Sequence, residues 1–179
     1  GLIEGLILGL KVKFGDKADL TMLRQVIGAS PEKLAKNFIV PTLDAFAKDF
    51  PALMGSLSEF TRYSAEDREL NGIRRTARTH TNWLDSKPMQ KDLQGGWFDP
   101  ASLKTTPTTV YLVLPPSELA DKSCWLRLMV TSLLMPLLRS KGEGPVPMLF
   151  MLDEAAALDR LEVIKDNYAL LRGYGIKLW

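Results

Sequence analysis

The chain has 179 residues, 46% hydrophobic and 25% charged, with a formal net charge of +2. That is enough for one domain or a small domain with part of another, and too little net charge to argue by itself for a nucleic-acid partner. One cysteine, Cys124, and one histidine, His80, exclude a disulfide framework and a His/Cys zinc cluster and suit a reducing compartment.

No run reaches the roughly 18 apolar residues needed to span a bilayer, and no signal-peptide pattern opens the chain. The start at Gly1 and the stop at Trp179, inside an apolar run, predict a piece of a longer chain. Leu2 to Val12 reads as a helix, with Gly5 and Gly9 spaced four apart for close packing on a neighbour. Leu20, Leu23, Val26 and Ile27 give a second apolar face that Gly28 ends. Ser30-Pro31-Glu32 opens another helix with a cap, a proline at the first position and an early carboxylate. Leu34 and Phe38 bury one edge of it before Pro41 ends or kinks it. Leu43, Phe46, Ala47 and Phe50 repeat the stripe, and Pro51 closes it.

Ser64, with Asp67 three residues on, predicts a capped helix reaching about Leu84, with Leu70, Ile73, Ala77 and Leu84 on one face. Arg68 and Arg75 fall opposite, flanked by Arg74 and Arg78. Such a stripe is either a solvated face, balanced by Glu66, Asp67 and Glu69, or a set of phosphate contacts following a single strand of nucleic acid. Trp83 reads as packing or a stacking platform, and His80 as an interior or edge histidine. Lys87-Pro88 and Gly95-Gly96 break the pattern, which predicts an all-α domain over residues 1–96 and a different unit over 97–179.

In the second unit, Thr108 to Leu114 is β-branched and apolar on both faces, as in a central parallel strand. Residues 118–140 make a helix apolar nearly all round. Gly142, Gly144, Pro145 and Pro147 loop into the apolar run Met148-Leu-Phe-Met-Leu, which stops at Asp153-Glu154. A return helix over 153–172 follows, with Leu158, Leu161, Ile164, Tyr168 and Leu171 toward the sheet and Gly173 as its cap. Strand, helix, strand, helix, strand is the order of two right-handed crossovers. The fold class expected is therefore α/β with a large all-α portion: a helical domain followed by a partial RecA-like parallel sheet of about three strands.

An apolar strand ending in two carboxylates has the form of a Walker B motif, because ligands of open parallel sheets sit beyond the strands' carboxyl ends. Asp153 would hold Mg²⁺ through water and Glu154 would polarise the attacking water. The plainer alternative makes Asp153 a helix N-cap and Glu154 a first-turn carboxylate. No G-x-x-x-x-G-K-[ST] occurs in the 179 residues, so the phosphate cradle lies outside them.

Thr109-Val-Tyr-Leu-Val-Leu-Pro-Pro-Ser-Glu-Leu, Leu126-Arg-Leu, Met148-Leu-Phe-Met-Leu-Asp-Glu and Leu171-Arg-Gly-Tyr-Gly-Ile-Lys-Leu, in that order, resemble the TraG-like coupling proteins of type IV secretion and conjugation. The resemblance covers about the last 80 residues well. Ala155-Ala156-Ala157 and Asp159 depart from the family's bulkier Phe and its Gly. The resemblance implies a hexameric P-loop ATPase on the cytoplasmic side of the bacterial inner membrane, using ATP and Mg, its core interrupted by an all-α domain. Its implied partners are single-stranded DNA, relaxosome proteins or secreted effectors, the secretion channel and further copies of the same chain. Asp153 and Glu154 match the Walker B pair, and Arg172 matches an arginine thought to act across the subunit interface. The alternative for Arg172 is a last-turn cation on helix carbonyls. Alternatives for the whole are a substrate- or relaxosome-recognition helical module without activity of its own, and a chromosome-partition-type DNA pump.

Overall fold

The structure, a computed structural model, describes residues 1–94, 98–139, 144, 146–153, 155–158 and 161–179. Glu154, the loop calls at Gly142 and Pro145, the Gly95-Gly96 break and Asp159 lie outside the described residues. The fold is mainly helical with a small parallel sheet, and the chain forms two compact units, Gly1–Gly95 and Gly96–Trp179.

In the first unit α1 runs Leu2–Phe14, α2 Leu20–Gly28, α3 Pro31–Leu34, α4 Val40–Phe46, α5 Pro51–Leu57, α6 Arg68–His80 and α7 Lys87–Leu93. Asp19 caps α2, its carboxylate accepting the Met22 N–H at 2.8 Å, and Ser30 caps α3. Pro41 does not end the helix. A π turn over Ala35–Ile39 joins α3 to α4 and takes up the hydrogen-bond mismatch that a proline without an N–H creates. Pro51 opens α5 instead of closing a helix, and Phe50 is exposed. Pro88 likewise sits in the first turn of α7, where its missing N–H has no partner to lose.

Leu6, Leu23, Ile27, Leu34, Ile39, Leu53, Leu57 and Phe60 are the centre of this unit's core. The glycines of α1 let the helix approach it. A Cβ on Gly5 would stand 2.7 Å from Leu57 Cδ2 and from Ser56 Cβ, and one on Gly9 3.2 Å from Thr42 Cγ2.

In the second unit α8 spans Leu119–Arg139, β1 Met148–Phe150, α9 Glu162–Leu171 and β2 Ile176–Leu178. The strands are parallel, with Met148 opposite Ile176 and Phe150 opposite Leu178. The expected strand at 108–114 is extended but joins no ladder among the described residues, so the described sheet has two strands rather than three. Tyr111 and Val113 are 82% and 77% exposed. β1 is covered on one face only: Met148 is buried on Leu134, Leu137, Leu171 and Ile176, while Leu149 and Met151 are exposed. The return helix also starts later than expected, at Glu162 after a 3-10 turn over Ala155–Leu158, and Tyr168 is 69% exposed. Gly175, not Gly173, carries the left-handed conformation (φ 72°) that reverses the chain into β2.

Candidate nucleotide and nucleic-acid sites

Asp153 follows the carboxyl end of β1. Beyond Phe150 the pairing continues, with the Trp179 N–H donating to Phe150 O at 2.9 Å and the Leu152 N–H donating to Trp179 O at 2.8 Å. The chain then turns, and Asp153 stands exposed on the turn with no hydrogen bond or ion pair to its carboxylate among the described residues. It lies on the wall of a largely apolar cavity of about 440 Å³, shared by Val110, Leu112, Leu126, Val130 and Leu149. This cavity is the space between the extended 108–114 segment, α8 and β1.

A carboxylate at a strand tip, free among the described residues, suits a magnesium ion held through its water shell. Among the described residues no group of three His, Cys, Asp or Glu side chains stands ready to strip that shell, and Mg²⁺ keeps several waters in such sites.

Arg172 is exposed, directly after α9, and its side chain makes no hydrogen bond to the helix carbonyls. A helix that returns a parallel strand's chain runs back along the sheet, so it begins at the carboxyl end of β1 and ends at the amino end of β2. Arg172 therefore lies at the opposite end of the sheet from Asp153. The run from Met148, whose N–H donates to Gly175 O, to Leu152 alone covers roughly 13 Å.

The four arginines of α6 divide. Asp67, not Ser64, caps the helix, accepting the Leu70 N–H at 3.0 Å. Arg74 is half-buried, with Nε donating to Ile27 O at 3.2 Å and Nη2 donating to Gly28 O and Ala29 O. It closes the carboxyl end of α2. From α2, Arg24 returns the contact: its Nη1 donates to Arg78 O at 2.8 Å and its fork holds Asp85. The two helices thus cap one another's C-termini, which is why the basic residues are not one solvated stripe.

Arg68, Arg75 and Arg78 are exposed. Arg75 and Arg78 line a polar depression of about 510 Å³ with Asn71, Arg74, Thr79 and Asn82. Arg68 is not among its lining residues. Asn82 and Thr79 were missed in the sequence, although Asn82 falls four residues after Arg78 and Thr79 four after Arg75, on the same helical line. His80 is exposed at the rim of an apolar groove formed with α1, and Trp83 is half-buried.

No helix among the described residues is long and apolar enough to cross a membrane. No curated protein and no solved structure matches the chain. The family model for type IV secretory system conjugative DNA transfer matches residues 11–179, across both units. Matched over all but its first ten residues, the chain belongs to the type IV secretory system conjugative DNA transfer family.

Proposed function

We propose that the second unit is the Walker B part of the nucleotide-binding core of a TraG-like coupling ATPase, which delivers DNA or nucleoprotein to a type IV secretion channel. The observation that carries this reading is the Asp153 carboxylate, unpaired among the described residues, at the carboxyl end of a parallel strand in a chain of the conjugative DNA transfer family. In it Asp153 would hold Mg²⁺ through its water shell, Glu154 would polarise the attacking water, and ATP, when bound, would supply the phosphoryl group that is transferred. The 13 Å or more of strand between Asp153 and Arg172 supports a guanidinium that serves a neighbouring copy's nucleotide, as in a homo-hexamer. The helical unit, with its own core, suits recognition of relaxosome proteins or effectors.

Without a P-loop the 179 residues have no backbone cradle and no lysine for the β and γ phosphates, so alone they hydrolyse no ATP. Magnesium-dependent turnover by the isolated chain, lost in Glu154→Gln, contradicts that statement. In the P-loop-bearing protein that the reading implies, Asp153→Asn removes magnesium-dependent turnover and leaves the fold intact. Unchanged turnover in that variant rejects the Walker B assignment.

A further inference from the structure

We propose that the apolar groove between α1 and α6 is the contact surface for a second copy of this chain, which lays its own α1 antiparallel along it about a two-fold axis between Ile7 and Leu8. The proposal is independent of the ATPase reading, since every residue it uses belongs to the first unit. It also differs in kind from the contact which that reading needs. A ring that shares Asp153 and Arg172 between neighbours joins copies head to tail, whereas a two-fold contact uses the same surface on both copies and closes at two.

α1 is apolar on two sides. Leu2, Leu6 and Leu10 are buried in the unit's own core, where Gly5 and Gly9 bring the helix close. Away from that core, Ile7 is 43% exposed and Ile3 and Leu8 are half-buried. With Ile73 and Ala77 of α6 they line a largely apolar groove of about 1000 Å³, to which among the described residues only α1, its cap Gly1 and α6 contribute. A helix that is apolar on two sides is stable when both are covered, and a groove between two helices is the shape that receives a third.

Charge decides which helix that is. Glu4 and Lys11 both line the groove, about two helical turns apart, with Ile7 and Leu8 between them. Turned about an axis between Ile7 and Leu8, the same seam sets Glu4 of each copy beside Lys11 of the other, and Ile7 beside Leu8. The face is therefore its own complement in the antiparallel sense alone, because a parallel pair would set Glu4 against Glu4 and Lys11 against Lys11. Within one copy Glu4 accepts from the Gly1 amino group at 3.0 Å and Lys11 donates to Asp16 at 2.6 Å. Both contacts are exposed, and a carboxylate with two oxygens and an ammonium with three donors keep capacity for a further partner across the axis.

The test is the oligomeric state of the 179-residue chain, followed by sedimentation equilibrium over a concentration series. A monomer–dimer equilibrium without larger species is expected. Glu4→Lys and Lys11→Glu each turn two surface pairs from attraction to repulsion, so either variant alone dimerises roughly tenfold more weakly. An equimolar mixture of the two variants regains at least the parent's affinity, because each seam then meets one of opposite charge. The contacts to Gly1 and Asp16 stay lost in that mixture, so recovery reports only what passes between copies. Ile7→Asp, at an exposed position, leaves a monomer with the melting temperature of the dilute parent. Should that variant melt lower, the two charge reversals, both on exposed side chains, decide alone. A chain that is monomeric at every concentration overturns the proposal and leaves the groove to a different partner. So does a dimer that either charge reversal leaves unchanged, a mixture without recovery, or a folded Ile7→Asp variant that dimerises like the parent.

Discussion

Arg74 and Arg75 are neighbours in sequence with different work. Arg74 replaces water on three carbonyls at the end of α2, and hydrogen bonds from a charged donor contribute about 1.5–3 kcal/mol. Arg74→Ala is expected to cost about that much in a urea melt of the protein, and Arg75→Ala to cost nothing resolvable. Equal costs would remove the distinction on which the division of the basic helix rests.

Two carboxylates give a pH dependence. The Arg24 fork beside Asp85 holds its carboxyl below the ordinary range, against a smaller opposing effect of burial. At Asp19 burial pushes upward, but the Thr21 hydroxyl and the Met22 and Thr21 N–H groups together outweigh it and the net direction is down. A carboxyl lowered on folding stabilises above its unfolded value and loses that contribution as pH falls through its folded value. Stability is therefore expected to fall on acidification below about pH 4, and less steeply in Asp85→Asn and Asp19→Asn. A parent-like slope in both variants would assign the acid sensitivity to other groups.

At the scale of elements, α1 is the tightest fit. Gly5→Ala forces its Cβ against the fully buried Leu57, so α1 and α5 must part, a cost of roughly 1–3 kcal/mol. A Cβ on Gly9 would meet Thr42 Cγ2 and Phe38 Cε1 at 3.2 and 3.3 Å, and the better helix propensity of alanine, about 1 kcal/mol, offsets most of that crowding. Chemical melts should therefore rank Gly5→Ala well below Gly9→Ala in stability, and the reverse order would show that the two contacts are misread.

The spacing of those glycines was readable because a four-residue interval on a helix is one face. Ser30 was likewise legible as local chemistry, whereas Asp19, the cap of α2, was not singled out. Pro41 was not, because a π turn is an answer of the backbone to a proline that apolar periodicity does not encode. Thr108 to Leu114 has strand-like composition, yet strand formation depends on a pairing partner that lies elsewhere in space, and among the described residues the segment joins no ladder. Asp153 was legible as the end of an apolar run; the commitment of Arg74 was not, because its partners are 45 to 47 residues away.

At the scale of the whole molecule, each unit has its own buried cluster, one centred on Leu6, Ile27, Leu57 and Phe60, the other on Leu134, Leu137, Met148 and Ile176. The parallel order of β1 and β2 sends Asp153 and Arg172 to opposite ends of the sheet. Under the ATPase reading that geometry requires a site shared between copies, with the Walker B carboxylates from one subunit and the guanidinium from the next. Arg172→Ala should then lower turnover by roughly 10³ or more without altering nucleotide affinity or the melting temperature. The most direct measurement is ATP turnover by the P-loop-bearing protein when Arg172→Ala and Glu154→Gln subunits, each inactive alone, are mixed. The account predicts partial recovery, because some interfaces then join an intact Glu154 to an intact Arg172. No recovery in mixed rings shown to assemble, or full turnover by Arg172→Ala alone, would contradict it.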